Sequence, residues 1–198
     1  AAVRAPWGAA AGRSTWALER ISMASVFTHP VVPLALAIAM GRSRVRLPLL
    51  AVGVVASVLP DLDVVGFRLG IPYTSDYGHR GFTHSLTFAA LVAGLATFGA
   101  ARWRSSRATA FAFVFLSCAS HGLLDMLTTA GRGVEYFWPV TNQRYFFPVR
   151  VIEASSLSFK RFFQVTGSTV LRSELLWVWL PCLGAALVAR TVRRSNAL

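Results

Sequence analysis

Four histidines and most of the acids of this 198-residue chain sit at the ends of its apolar segments. They are His29, Asp61 and Asp63 after Pro60, the run His79-Arg80-Gly81-Phe82-Thr83-His84-Ser85, and His121 with Asp125. Ionisable groups beside long hydrocarbon-facing runs are costly to keep, and imidazole with carboxylate is a donor set for divalent metal ions. His121 and Asp125 are four apart on an expected helix, hence on one face and able to address one ion. Pro60 disfavours helix at the residue before it, so Asp61 and Asp63 are expected on an extended turn where alternate side chains point the same way. Carboxylates that close repel each other unless a cation or proton sits between them. His79 and His84 bracket a turn that Gly81 permits, with Thr83 placed to cap the following helix.

The mixed donors suit Zn²⁺, Mn²⁺ or Fe²⁺ better than Ca²⁺ or Mg²⁺. His29, Asp61, Asp63, His79, His84, His121 and Asp125 exceed what one tetrahedral site requires. One or two ions are therefore expected, and in two-ion sites, spaced about 3.5–4 Å, the ions activate water and stabilise a leaving oxygen. Asp63 or His79 would act as general base, and Arg80 would neutralise a carboxylate or hold an anionic substrate. Each residue also has a plainer reading. His29 could cap a helix, Asp61 and Asp63 could cap a turn, His79, Arg80 and His84 could belong to an interfacial loop, and His121 with Asp125 could be an interhelical hydrogen-bonded pair.

Hydrophobic residues make up 55% and charged residues 14% of the chain, a balance that a water-facing globule of this size would hardly tolerate. The expected fold is all-α, a multi-spanning membrane helix bundle of about five apolar helices with the His/Asp site at the outer helix ends. The apolar stretches run from Val26 to Met40, Val45 to Pro60, Leu86 to Ala101, Ala108 to Leu127, and Leu175 to Ala189. Several hold about 15 residues where roughly 20 cross a bilayer squarely, so thinning, flanking residues or re-entrant insertion must supply the difference.

Arg42, Arg44 and Arg46 fill the first connection, Arg102, Arg104 and Arg107 the third, and Arg190, Arg193 and Arg194 the C-terminal tail. The positive-inside rule makes these regions cytoplasmic. The N-terminus, the 61–85 connection and the 128–174 loop then lie outside, together with every candidate ligand and all eight acids, Glu19, Asp61, Asp63, Asp76, Asp125, Glu135, Glu153 and Glu174. Trp138, Trp177, Trp179, Tyr73 and Tyr77 suit an outer aromatic belt and Trp103 an inner one. A net charge of +12 would ordinarily raise nucleic acid as a partner; topology explains it here, and the outward site disfavours nucleic acid.

Residues 1–22 are rich in Ala, Gly and Arg and read as a poorly ordered N-terminal extension without chemistry, Met23 being a more natural start; 23–198 form the membrane-embedded domain. The loop from Gly131 to Arg172 alternates aromatic and basic residues, among them Tyr136, Phe137, Trp138, Arg144, Tyr145, Phe146, Phe147, Arg150, Lys160, Arg161, Phe162 and Phe163. It reads as an interfacial segment, or as a lid whose Arg144 and Arg150 grip a phosphate. Glu174, before the fifth apolar run, is a substrate-side candidate or a first-turn acid favoured by the helix dipole.

The motifs Thr28-His29-Pro30, Pro60-Asp61-Leu62-Asp63, His79 to Ser85, His121-Gly122-Leu123-Leu124-Asp125 and Trp177-Val178-Trp179-Leu180-Pro181 resemble the bacterial family of inner-membrane metal-dependent hydrolases, some members of which are described as LexA-regulated or LexA-binding. The resemblance covers roughly Met23 to Arg190. It implies a multi-pass protein of the bacterial cytoplasmic membrane with a hydrolytic metal site at His29, Asp61, Asp63, His79, His84, His121 and Asp125. A regulatory protein partner is implied by resemblance alone.

Three functions follow as expectations. The first is a metal-dependent hydrolase at the outer face, acting on an ester or phosphoester of a lipid or envelope-related amphiphile, since a site at helix ends opens toward head groups. The second is a non-catalytic divalent-cation binder or transporter, disfavoured because transport ligands usually lie near the midplane. The third is a structural or regulatory adaptor whose His/Asp network only holds helices together.

Overall fold

The computed structural model of the protein describes residues 22–23, 25–156 and 167–196. The remainder of the expected N-terminal extension, with Glu19, and the loop residues Lys160, Arg161, Phe162 and Phe163 lie outside the described residues. Five apolar helices form the body: α1 (Val31–Met40), α2 (Leu47–Val58), α3 (Leu86–Ala96), α4 (Arg107–Met126) and α5 (Gly167–Ser195). The all-helical class holds, and the strand pairing among the described residues is slight, chiefly a two-residue pairing of Ser22–Met23 with Ser155–Ser156.

α4 is the central element, packed between α2 and α3, while α1 lies against α2 and α5. The core combines many alanines with a few large residues, including Leu49 and Ala56 of α2, Ala89 and Ala93 of α3, and Ala110, Phe113 and Val114 of α4. Small side chains matter because helices in lipid gain little from apolar burial and associate through close packing. At Gly53 α2 approaches α4 closely, and a methyl group there would overlap the Phe113 ring.

Among the described residues, three segments are long and apolar enough to cross a membrane: Leu47–Leu69, Arg107–Met126 and Gly167–Ser195. α1 and the stretch Leu86–Gly99 are apolar but shorter. Ten residues of α1 rise only about 15 Å, half of a hydrocarbon core of about 30 Å.

Two local expectations are corrected. The carboxylates after Pro60 do not sit on an extended turn, because α2 tightens into an eleven-residue 3₁₀ helix over Leu59–Leu69 with Pro60 in its first turn. Proline is tolerated there, where its missing N–H has no helical partner. At about three residues per turn, positions two apart point in different directions, so Asp61 and Asp63 address different neighbours. The last helix also begins earlier than its apolar run: Glu174 lies inside α5, where regular helix gives way to a π-helical turn over Leu175–Trp179.

The Gly53 contact gives a direct test of the packing. Gly53→Val is expected to lower stability by about 1–3 kcal/mol through overpacking against Phe113, read as a drop in thermal midpoint of the detergent-solubilised protein. Gly94→Val, on a surface where an added methyl meets nothing within 4 Å, should leave that midpoint nearly unchanged.

Candidate metal centre

The helices of the bundle deliver their ionisable residues to one end. His29 stands in the turn before α1, Asp61 and Asp63 on the 3₁₀ extension of α2, His79 to His84 just before α3, and His121 and Asp125 in the last turns of α4. His29, His79, Arg80, His84, His121 and Asp125 are buried, and the Asp61 side chain keeps 13% of its exposure.

Four atoms converge. His84 Nε2 lies 3.1 Å from His121 Nε2, 3.3 Å from Asp125 Oδ2 and 3.8 Å from Asp61 Oδ1. His121 Nε2 lies 3.3 Å from Asp61 Oδ1 and 3.8 Å from Asp125 Oδ2. Donor atoms about 2.1 Å from a shared ion at tetrahedron corners stand about 3.4 Å apart, which is the spacing seen.

Hydrogen bonding on the far side of each ring fixes what the near side presents. His121 Nδ1 is 2.7 Å from the Ser57 carbonyl oxygen, which only accepts, so Nδ1 carries the proton and Nε2 offers a lone pair. His84 Nδ1 is 3.2 Å from Asp63 Oδ2 and donates to it in the same sense. Burial opposes charge on His84, but the flanking Asp63 and Asp125 carboxylates outweigh it and raise its pKa to about 9. Without a metal ion, a single His84 Nε2–H faces three acceptors, His121 Nε2, Asp61 Oδ1 and Asp125 Oδ2, the last of which also meets Arg80. A divalent ion satisfies all of them together with His84. Both Asp61 oxygens and both ring nitrogens of His29 are buried without a hydrogen-bond partner among the described residues. The donor set therefore fits a metal ion.

Asp63 has a different setting. It takes His79 Nδ1 at 2.6 Å, the Thr83 hydroxyl at 2.8 Å and the Arg80 N–H at 3.2 Å, besides His84. Carboxylates that hold the outer nitrogen of a ligating histidine orient the ring and raise its basicity. Asp63, His79 and His84 also form a second group with metal-ligand spacing. His29 stacks on His121, ring centres 3.7 Å apart, and its Nε2 lies 3.9 Å from Asp61 Oδ2. Burial and the neighbouring His121 lower the His29 pKa to about 3, so its ring is neutral.

Arg80 is buried, its Nε 3.1 Å from Asp125 Oδ2 and its Nη1 donating to the Ala130 carbonyl at 3.1 Å. It adopts a left-handed backbone conformation, φ 64°, whereas Gly81 has φ −88°. Gly81 is needed for another reason: any Cβ there would collide with the Asp76 carbonyl. The cap of α3 is likewise Ser85, whose hydroxyl accepts from the Phe88 N–H, and not Thr83, which serves Asp63.

The proposed substrate-side residues are placed apart from the four-atom cluster. Arg144 pairs with Glu135 at 2.8 Å and donates to the carbonyls of His79, Tyr73 and Ser75, clamping the loop before α3. Arg150 is exposed and lies over the Phe146 ring. Glu174 is buried and accepts from the Ser25 N–H and hydroxyl, both at 2.6 Å, fastening α5 to the turn that carries His29. The described part of the long loop is bolted down as well: Leu86 N–H donates to the Tyr136 carbonyl, Thr87 to the Trp138 carbonyl and Glu135 N–H to the Arg80 carbonyl.

Sequence reading missed the Ser57 carbonyl and the Thr83 role. A backbone acceptor leaves no residue signature, and Thr83 sits where a capping residue is equally natural.

The comparisons with known proteins agree with this membrane architecture. Residues 23–197 match the model of the YdjM inner membrane protein family. The chain is 41% identical over 160 residues to the inner membrane protein YbcI of Escherichia coli (strain K12), covering 80% of this chain and 92% of that relative. No solved structure matches it. A match that takes in all five helices and every residue of the buried His/Asp cluster, together with that identity, makes the chain a member of the YdjM inner membrane protein family.

Proposed function

We propose that the protein is a multi-pass metal-dependent hydrolase of the inner membrane, with its site facing outside, acting on an ester or phosphoester of a lipid or envelope amphiphile. The observation that carries this reading is the convergence of His84 Nε2, His121 Nε2, Asp61 Oδ1 and Asp125 Oδ2, with both imidazole tautomers fixed from behind. These four residues would hold a Zn²⁺, Mn²⁺ or Fe²⁺ ion. Asp61 aims its second oxygen toward His29, as a carboxylate shared between two ions would. When bound, such ions lower the pKa of water and stabilise a leaving oxygen.

The remaining roles belong to the chain. Asp63 holds His84 and His79 in fixed orientation, and Arg80 fixes the Asp125 carboxylate. His79, backed by Asp63 at 2.6 Å, has the carboxylate–imidazole arrangement of a proton carrier, its Nε2 buried and without a hydrogen-bond partner. Asp61 is the least buried of the four cluster residues, so substrate approaches from its side. Arg150, exposed beside the site-bearing end, is the remaining candidate for contact with an anionic headgroup.

A second reading rests on the same geometry. Four protein donors complete a tetrahedral zinc site, and closed zinc sites are structural. The ion would then tie α2, α3 and α4 together without turnover.

Elemental analysis of the purified protein is expected to find one or two divalent ions per chain. His121→Ala and Asp125→Asn should each reduce bound metal to background in protein that still elutes as a folded species, whereas Asp63→Asn should retain metal with affinity weakened about 10–100-fold. Release of product from micellar ester and phosphoester amphiphiles, abolished by chelation and restored by Zn²⁺ or Mn²⁺, supports the hydrolase. Metal held tightly with no release from any of them selects the structural reading.

Metal binding must also displace the proton on His84. Below its pKa of about 9 that ring is protonated when no metal competes. Apparent metal affinity should therefore rise with pH, by about tenfold per pH unit for one released proton, and level off above it. An affinity flat between neutral pH and that point would contradict His84 as a ligand.

A further inference from the structure

The end of the bundle remote from the metal centre carries a second feature. α1 has His29 at its start and Met40 at its end, so its two ends separate the two regions. Around Met40 the first arginine-rich connection meets the end of α5. Arg193 Nη1 donates to the Met40 carbonyl at 3.1 Å, and Gly41, φ 82°, leaves room for that guanidinium where any side chain would collide with it.

Between α1, the start of α2 and the end of α5 lies an open cavity of about 1070 Å³. Its cationic side is formed by Arg42, Arg46, Arg190, Arg193 and Arg194, and no carboxylate lines it among the described residues. Its other walls are aliphatic, with Leu34, Ile38 and Leu50 among them. The Arg193 Nε is buried and has no hydrogen-bond partner among the described residues. A buried guanidinium nitrogen without an acceptor is costly, and like charges gathered this closely repel. Both conditions are relieved by one anion.

We infer that this cavity binds the phosphate headgroup of an anionic phospholipid, with an acyl chain against the aliphatic walls of α1 and α2. The charge complementarity and the apolar walls together select a lipid over a soluble anion. Guanidinium groups engage phosphate oxygens bidentately, and basic pockets between membrane helices recognise anionic headgroups in this way. α1 rises only about 15 Å, and the apolar stretch of α5 is largely uncovered by protein, which leaves apolar surface beside the cavity. The inference is independent of the metal site and of any turnover there.

The test is native mass spectrometry of the full chain in detergent, titrated with dioleoylphosphatidylglycerol, dioleoylphosphatidylcholine or sodium phosphate. Retention of the phosphatidylglycerol with little phosphatidylcholine is expected. The double variant Arg46→Gln/Arg190→Gln removes two cavity charges that make no side-chain hydrogen bond among the described residues, and should weaken retention by about tenfold or more. Arg102→Gln/Arg107→Gln removes two charges from the same end outside the cavity, and should leave retention unchanged. Equal retention of phosphatidylcholine, an equal loss in the control variant, or displacement of the lipid by sodium phosphate at matching concentration would overturn the assignment.

Discussion

The structure turns on a conflict among acceptors. Two imidazole nitrogens and two carboxylate oxygens are drawn together at 3.1–3.8 Å in a buried setting, where the acceptors repel one another unless a proton or a metal ion lies between them. Arg80 bears on the cluster at Asp125. The surrounding fold is arranged to maintain the convergence. α4 supplies two donors from adjacent turns, α2 tightens into 3₁₀ helix to turn Asp61 inward, and the His79–Ser85 segment is pinned from both sides by Asp63 and by the loop after α4.

That pinning explains the buried polar residues that touch no part of the cluster. Arg144 joins Glu135 to the carbonyls of the loop before α3, and Glu174 joins α5 to the turn carrying His29. Both are charge-assisted hydrogen-bonded clasps that reach residues far away in sequence. In a medium where apolar association between helices is weak, hydrogen-bonded charges of this kind give position more than stability. Removing either would loosen a ligand-bearing segment without touching a ligand.

Much of this was legible in the residues. The apolar runs located the helices, because a 3.6-residue period was not needed when whole segments are hydrophobic; the arginine connections predicted which helix ends share a face. His121 and Asp125 met as their spacing requires on a helix. What escaped depended on backbone geometry. A proline after an apolar run marks an interruption but does not distinguish an extended turn from the tightening to 3₁₀ helix that separates the tasks of Asp61 and Asp63. The left-handed conformation at Arg80 rather than Gly81 runs against the usual preference, and no local signal reports it. Arg144 and Glu174 carried the right chemistry for a ligand contact, yet their partners lie far away in sequence and are invisible to local spacing.

The two ends of the bundle solve opposite electrostatic problems with the same helices. One end gathers acceptors about the single ring of His84, with Arg80 at Asp125, while the other gathers guanidinium groups around a cavity that no carboxylate lines among the described residues. The backbone groups left unpaired at helix ends carry only partial charge and supply no full counter-ion to either cluster. Each end must therefore recruit its complement from outside the chain, or hold its charges apart. At the cluster the second course is closed, because Ser57, Asp63 and Arg80 lock the donors in place from behind. At the arginine end Arg42, Arg46 and Arg194 are free to spread on exposed side chains, but Arg193 is not, being anchored at Met40. The demand for an external partner is thus strongest where the fold has removed conformational freedom from the charged group, and that criterion separates His84, His121, Asp125 and Arg193 from the ordinary surface charge of a membrane protein.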